Sequence, residues 1–96
     1  MAINLDEEFA KYEHEYMEFD RIASKLNARP DLHAFLKLDD LVPGRVDMVC
    51  GTSHDEIWLS IQPDDLAAAA TTDDICELIR CGLRYDEDMD SLCMFV

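Results

Sequence analysis

The chain predicts an α+β domain: a long N-terminal helix and short helices packed on a four-stranded, mainly antiparallel sheet. Two observations point there. Apolar residues recur at helical spacing through the first 26 positions, and after position 45 the pattern shifts to short strand-like runs separated by turn residues. With 96 residues there is room for a single domain, 1–96, and 49% apolar residues supply one modest core.

Leu5, Phe9, Tyr12, Tyr16, Phe19, Ala23 and Leu26 fall at alternating spacings of four and three, a stripe that predicts one helix of about five or six turns. The same stripe would also serve a dimeric coiled coil. Asn4 suits an N-cap, Glu7 follows at capping-box spacing, and Asp6, Glu7 and Glu8 sit where a helix dipole favours negative charge. Pro30 should end this helix. A short helix is expected after it, with Leu32, Phe35 and Leu36 inward and Pro43-Gly44 as the closing turn. Residues 46–50 and 56–61 read as strands joined by a five-residue loop. Pro63 opens a brief alanine-rich helix through Ala70. Thr71, with Asp74 three residues on, starts another that stops at Gly82. Residues 83–85 and 91–96 are the last strands. The final one is apolar almost throughout, which places it inside the sheet.

Nothing in the spacing marks an enzyme. The three glycines lie in separate turns, so there is no phosphate-cradling loop. No CxxC pair suggests zinc, and Cys76 and Cys81, five apart in an expected helix, point about 140° away from each other. The four cysteines, Cys50 included, read as buried reduced thiols. His14 lies off the apolar stripe, and His33 is expected to be partly exposed. His54-Asp55-Glu56 is the most site-like cluster, yet neighbours at a strand start point to opposite faces and do not converge on a metal. No catalytic residue, metal or cofactor is expected.

Charge is the unusual feature. Twenty-two acids against eight Lys and Arg give −14, beyond the magnitude of roughly 2–8 that solubility asks of a small domain. Such a surface repels nucleic acid and anionic membranes and favours a basic partner. No apolar run approaches the ~20 residues of a membrane span, so a soluble, cytoplasmic protein is expected. Asp64-Asp65 and Asp73-Asp74 are accounted for at helix starts, whereas Asp39-Asp40 stands near a helix C-terminus, where negative charge is unfavourable. Asp86, Glu87, Asp88 and Asp90 crowd one turn. These six, with Asp55 and Glu56, are the expected partner-binding residues. Trp58 could anchor such a contact if it faces outward, but its flanks Ile57 and Leu59 favour a core position.

Asp40-Leu41-Val42-Pro43-Gly44, the run from Arg80 to Tyr85 and the run from Asp90 to Val96 resemble stretches of small uncharacterised phage proteins. The likeness spans roughly the C-terminal two-thirds. It is of the kind seen in small acidic phage-encoded counter-defence proteins, anti-CRISPR proteins and other DNA mimics. It implies a non-enzymatic inhibitor, monomer or homodimer, in the host cytoplasm. Its target would be a basic nucleic-acid-handling host protein, a CRISPR effector before others. Two other readings stay open: an immunity protein or antitoxin neutralising a basic nuclease, and a virion assembly protein self-associating through the helix stripe.

Overall fold

Asn4 opens the first helix as expected, its side chain accepting the Glu7 amide at 3.2 Å. The helix, α1, covers only Leu5–Lys11, in a computed structural model that describes residues 3–23, 25–44 and 47–95, with the backbone alone of Ser53. The long N-terminal helix is therefore a correction. Past Tyr12 the chain turns through 3-10 segments Glu13–Glu15 and Phe19–Arg21, separated by Met17 at φ 65°. A 22-residue helix would run about 33 Å at 1.5 Å per residue, longer than the 30 Å of the molecule's longest axis. The bends instead return Phe19 and Ile22 to the core. They also let Arg21 reach back six residues to Glu15, a spacing that no straight helix brings together. Ala23 and Leu26, the last residues of the stripe, are exposed.

Pro30, expected to stop one helix, occupies the first turn of the next, α2, Pro30–Leu41. Its inward face is His33, Ala34 and Leu38, all fully buried, with Phe35 half-buried. Leu32 and Leu36, expected inward, are 40% and 49% exposed, and His33, expected at the surface, is completely enclosed. Leu32 and Leu36 share one side of α2, while Ala34, Leu38 and Leu41 form the side that meets the core. Two short helices, α3 (Pro63–Ala69) and α4 (Thr72–Arg80), follow. Thr71 and Asp74 form the expected capping box: the threonine hydroxyl accepts the Asp74 amide and the Asp74 carboxylate accepts that of Thr71. At the other end Gly82 donates to Ile79 and Leu83 to Leu78, closing a Schellman turn with Gly82 at φ 101°. A Cβ on Gly82 would lie 2.8 Å from the Met17 sulfur. Gly82→Ala should therefore cost about 1–2 kcal/mol, chiefly from left-handed strain, since the exposed Met17 side chain can move aside. Urea unfolding measures it, and an unchanged midpoint would show that residue 82 carries no left-handed strain.

The sheet comprises β1 (Val49–Ser53), β2 (Glu56–Leu59), β3 (Arg84–Asp86) and β4 (Ser91–Phe95), all neighbours antiparallel, in the order β1-β2-β4-β3. The last strand is interior, as its composition demands. The β1–β2 hairpin is tighter than expected: His54 and Asp55 alone form the turn, with His54 at φ 53°. A bulge between Val49 and Gly51 absorbs the shift. The expected strand positions Val46 and Val96 lie outside the described residues. Alternation divides the sheet. Ile57, Leu59, Leu92 and Met94 pack into the core with Leu66, Ile75, Leu78 and Leu83 from the helical half. Glu56, Trp58, Cys93 and Phe95 stand on the other face. Trp58, expected in the core, is half-buried there opposite Cys93, because the register that sends Ile57 and Leu59 inward must send it outward.

Candidate partner-binding surface

Four basic side chains, Arg21, Lys37, Arg80 and Arg84, are tied to carboxylates of the chain itself. Glu15 is buried and accepts Arg80 Nε at 2.9 Å and Arg21 Nη1 at 2.7 Å. The Arg80 hydrogen bond, against the cost of burial and with the charge of Arg21, holds this carboxyl below its usual range. Lys37 bridges Asp74 at 2.9 Å and Glu77 at 3.3 Å. Burial alone would push its ammonium down, but the two carboxylates leave it above its ordinary value. Asp74 is likewise raised by burial and then carried below its usual range by the Thr71 amide and Lys37. Arg84 pairs with Glu56 at 2.9 Å and lies 4.5 Å over the Phe95 ring. Four of the chain's eight cations are thus bound to four carboxylates that are buried or half-buried.

Beneath α2 the enclosed His33 ring donates from Nε2 to Glu77 at 2.8 Å and accepts the Leu26 amide at Nδ1, 2.9 Å away. Acceptance at Nδ1 fixes the ring proton on Nε2. Both nitrogens are committed, so this histidine is a strut between the 26–33 segment and α4, with no free lone pair to take a proton from a substrate. Burial pushes the Cys81 thiol up to about 12 and the Cys93 thiol up to about 11. Both stay protonated and are poor nucleophiles. All four cysteines are unpaired, but only Cys81 and Cys93 are buried as expected: Cys50, at the β1 bulge, is exposed and Cys76 is half-buried. Among the described residues no group of three or more His, Cys, Asp or Glu converges as a metal site, and no helix is long and apolar enough to cross a membrane.

The eight expected partner-binding acids occupy three places. Asp39 and Asp40 are exposed at the end of α2, below the exposed Leu32 and Leu36. Asp55 and Glu56 sit at the β1–β2 turn, beside the Phe95 end of β4. Asp86, Glu87, Asp88 and Asp90 lie at its Ser91 end, about 13 Å away at ~3.3 Å per residue. The register of β4 therefore keeps the two turns apart. Three of the eight have internal work. Glu56 is neutralised by Arg84, Asp86 accepts the Asp88 and Met89 amides, and Asp90 accepts the Tyr85 hydroxyl at 2.7 Å. The Asp90 hydrogen bond is the main reason the Tyr85 phenol is pushed up to about 12. Asp39, Asp40, Asp55, Glu87 and Asp88 have no ion-pair partner among the described residues.

A feature that the sequence did not disclose adjoins the β3–β4 turn. An open cleft of about 800 Å³ runs between α1, the following 3-10 turn and the outer strand β3. Phe9, Tyr16, Tyr85 and Phe95 line it, Phe9 and Tyr85 with ring centroids 6.0 Å apart. Asp6, Glu13, Asp86 and Glu87 supply carboxylates, and Arg84 the one guanidinium. The helix stripe contained Phe9 and Tyr16, but their neighbours from β3 and β4 lie some 70 or more positions along the chain. Comparison with protein-family models, with curated proteins and with solved structures returns no match.

Proposed function

We propose that this chain is a non-enzymatic inhibitor that binds a basic, nucleic-acid-handling protein through its carboxylates. One observation carries the reading. Four of the eight cations are spent on carboxylates at or below the surface, so the acids that remain outside are almost unanswered. A groove lined with Lys and Arg to receive phosphates would accept such a surface in their place. Counter-ions would be released as they are by a duplex, and encounter would be fast and strongly salt-dependent. The narrower form of the proposal, a phage protein acting on a CRISPR effector, rests on resemblance; an immunity protein or antitoxin blocking a nuclease would use the same physics. Self-assembly through the helix stripe is less well supported, because Leu5, Phe9, Tyr12, Tyr16 and Phe19 are taken up by the chain's own core.

The test uses the tagged chain as bait in bacterial lysate, eluted by a salt ramp and separately by competing duplex DNA. Retention of a basic nucleic-acid-binding protein, released by both, is the expected result. Reversing Asp39, Asp40, Asp55, Glu87 and Asp88 to Lys should abolish retention while leaving thermal unfolding within about 3 °C, since all five are exposed. Undiminished capture by that variant would sink the electrostatic account.

A further inference from the structure

We infer that the cleft between α1 and β3 is the seat of an extended, arginine-bearing segment of the partner, an inference that rests on the function proposed above. Three features of the cleft converge on that occupant. Its charge is complementary: the lining holds four carboxylates against one guanidinium and the His14 imidazole, and that guanidinium is already paired with Glu56 outside the lining. Its aromatic content suits a planar cation. Phe95 is 54% exposed and already carries Arg84 over one ring face, so its surroundings show the geometry that a second guanidinium would use. Its backbone suits an extended chain. All three residues of β3 line the cleft, β3 is an outer strand, and no backbone hydrogen bond beyond those to β4 engages it among the described residues. An open strand edge is a template for strand addition, with alternate side chains of the incoming segment turned toward the same wall.

This assigns different tasks to the two kinds of surface. The scattered acids attract the partner over distance, whereas the cleft selects it, because charge alone discriminates poorly and buried aromatic contacts discriminate well.

The probe is a capped nine-residue peptide alternating arginine with glycine, titrated into the full chain at about 0.15 M salt, where long-range attraction is largely screened. Saturable binding is expected, with amide shifts concentrated at Arg84–Asp86 and Phe95, and the citrulline counterpart should not bind. Phe95→Ala, and separately Glu13→Lys with Glu87→Lys, should each weaken binding by about fivefold or more. Glu13 and Glu87 are exposed, so their substitution should leave unfolding unaltered, whereas Phe95→Ala gives up the Arg84 contact and should lower Tm by no more than about 5 °C. Asp39→Lys with Asp40→Lys, which do not line the cleft, should stay within about twofold. Equal weakening by that pair, or shifts scattered over the whole surface, would overturn the inference. A basic partner captured from lysate and still held by a chain carrying all three cleft substitutions would overturn the cleft but leave the proposed function standing. Peptide seated in the cleft without any basic partner captured would support the cleft and count against the function alone.

Discussion

His33→Ala lowers stability by about 3–4 kcal/mol, a large share of the 5–15 kcal/mol typical of a small domain. The ring is fully enclosed, with Phe19 edge-on at 5.7 Å, so truncation opens a cavity that α2 and α4 cannot close without moving. It also takes the acceptor from the Leu26 amide and leaves Glu77 Oε2 with Lys37 alone, 3.3 Å away. His33→Phe separates the two losses. It fills the volume but offers no polar atom, and should recover roughly half of the deficit. Urea titration of the three proteins provides the comparison. A phenylalanine variant as stable as the parent would mean that the two hydrogen bonds contribute nothing net.

Glu15→Gln is the second large effect. The amide keeps the shape but withdraws the charge that two guanidiniums share, leaving Arg21 and Arg80 facing each other across a neutral group. A fall in Tm on the order of 10 °C is expected at pH 7. The effect has a pH signature. Because the native Glu15 carboxyl is depressed by the Arg80 hydrogen bond, its stabilisation is complete above the unfolded-chain value near pH 4.3 and is lost as pH falls through the lower native value. The Tm gap between parent and Glu15→Gln should thus be constant from about pH 7 to 5 and narrow below about pH 4. A gap unchanged at pH 3 would show that the charge of Glu15 is not what the arginines hold.

What could be read from the sequence was what neighbours in the chain decide. The Asn4 cap, the Thr71–Asp74 box, the Gly82 stop and the interior place of Ser91–Phe95 each depend on a few adjacent side chains. The N-terminal stripe misled because α-helix and 3-10 turns repeat every 3.6 and 3.0 residues, and both throw spacings of three and four onto one side. Nothing local distinguishes a straight helix from a folded-back run of turns. The difference lies in Glu15, whose partner Arg80 is 65 positions away. His33 was misplaced for the same reason, since its enclosing partner Glu77 lies 44 positions on. The eight expected partner-binding acids lie near or at the surface, but their division into three separate places follows from strand register, and the aromatic cleft from elements far apart in the chain.

The order β1-β2-β4-β3 also fixes a timetable. The strand that joins the β1–β2 hairpin to β3 is the last of the four to be made. While the nascent chain lacks Ser91–Phe95, it can hold a two-stranded hairpin, marginal on its own, and a three-residue strand with no neighbour. The sheet can close only after synthesis has passed Phe95, and a chain halted before that point presents a hairpin edge and a lone strand in place of a sheet.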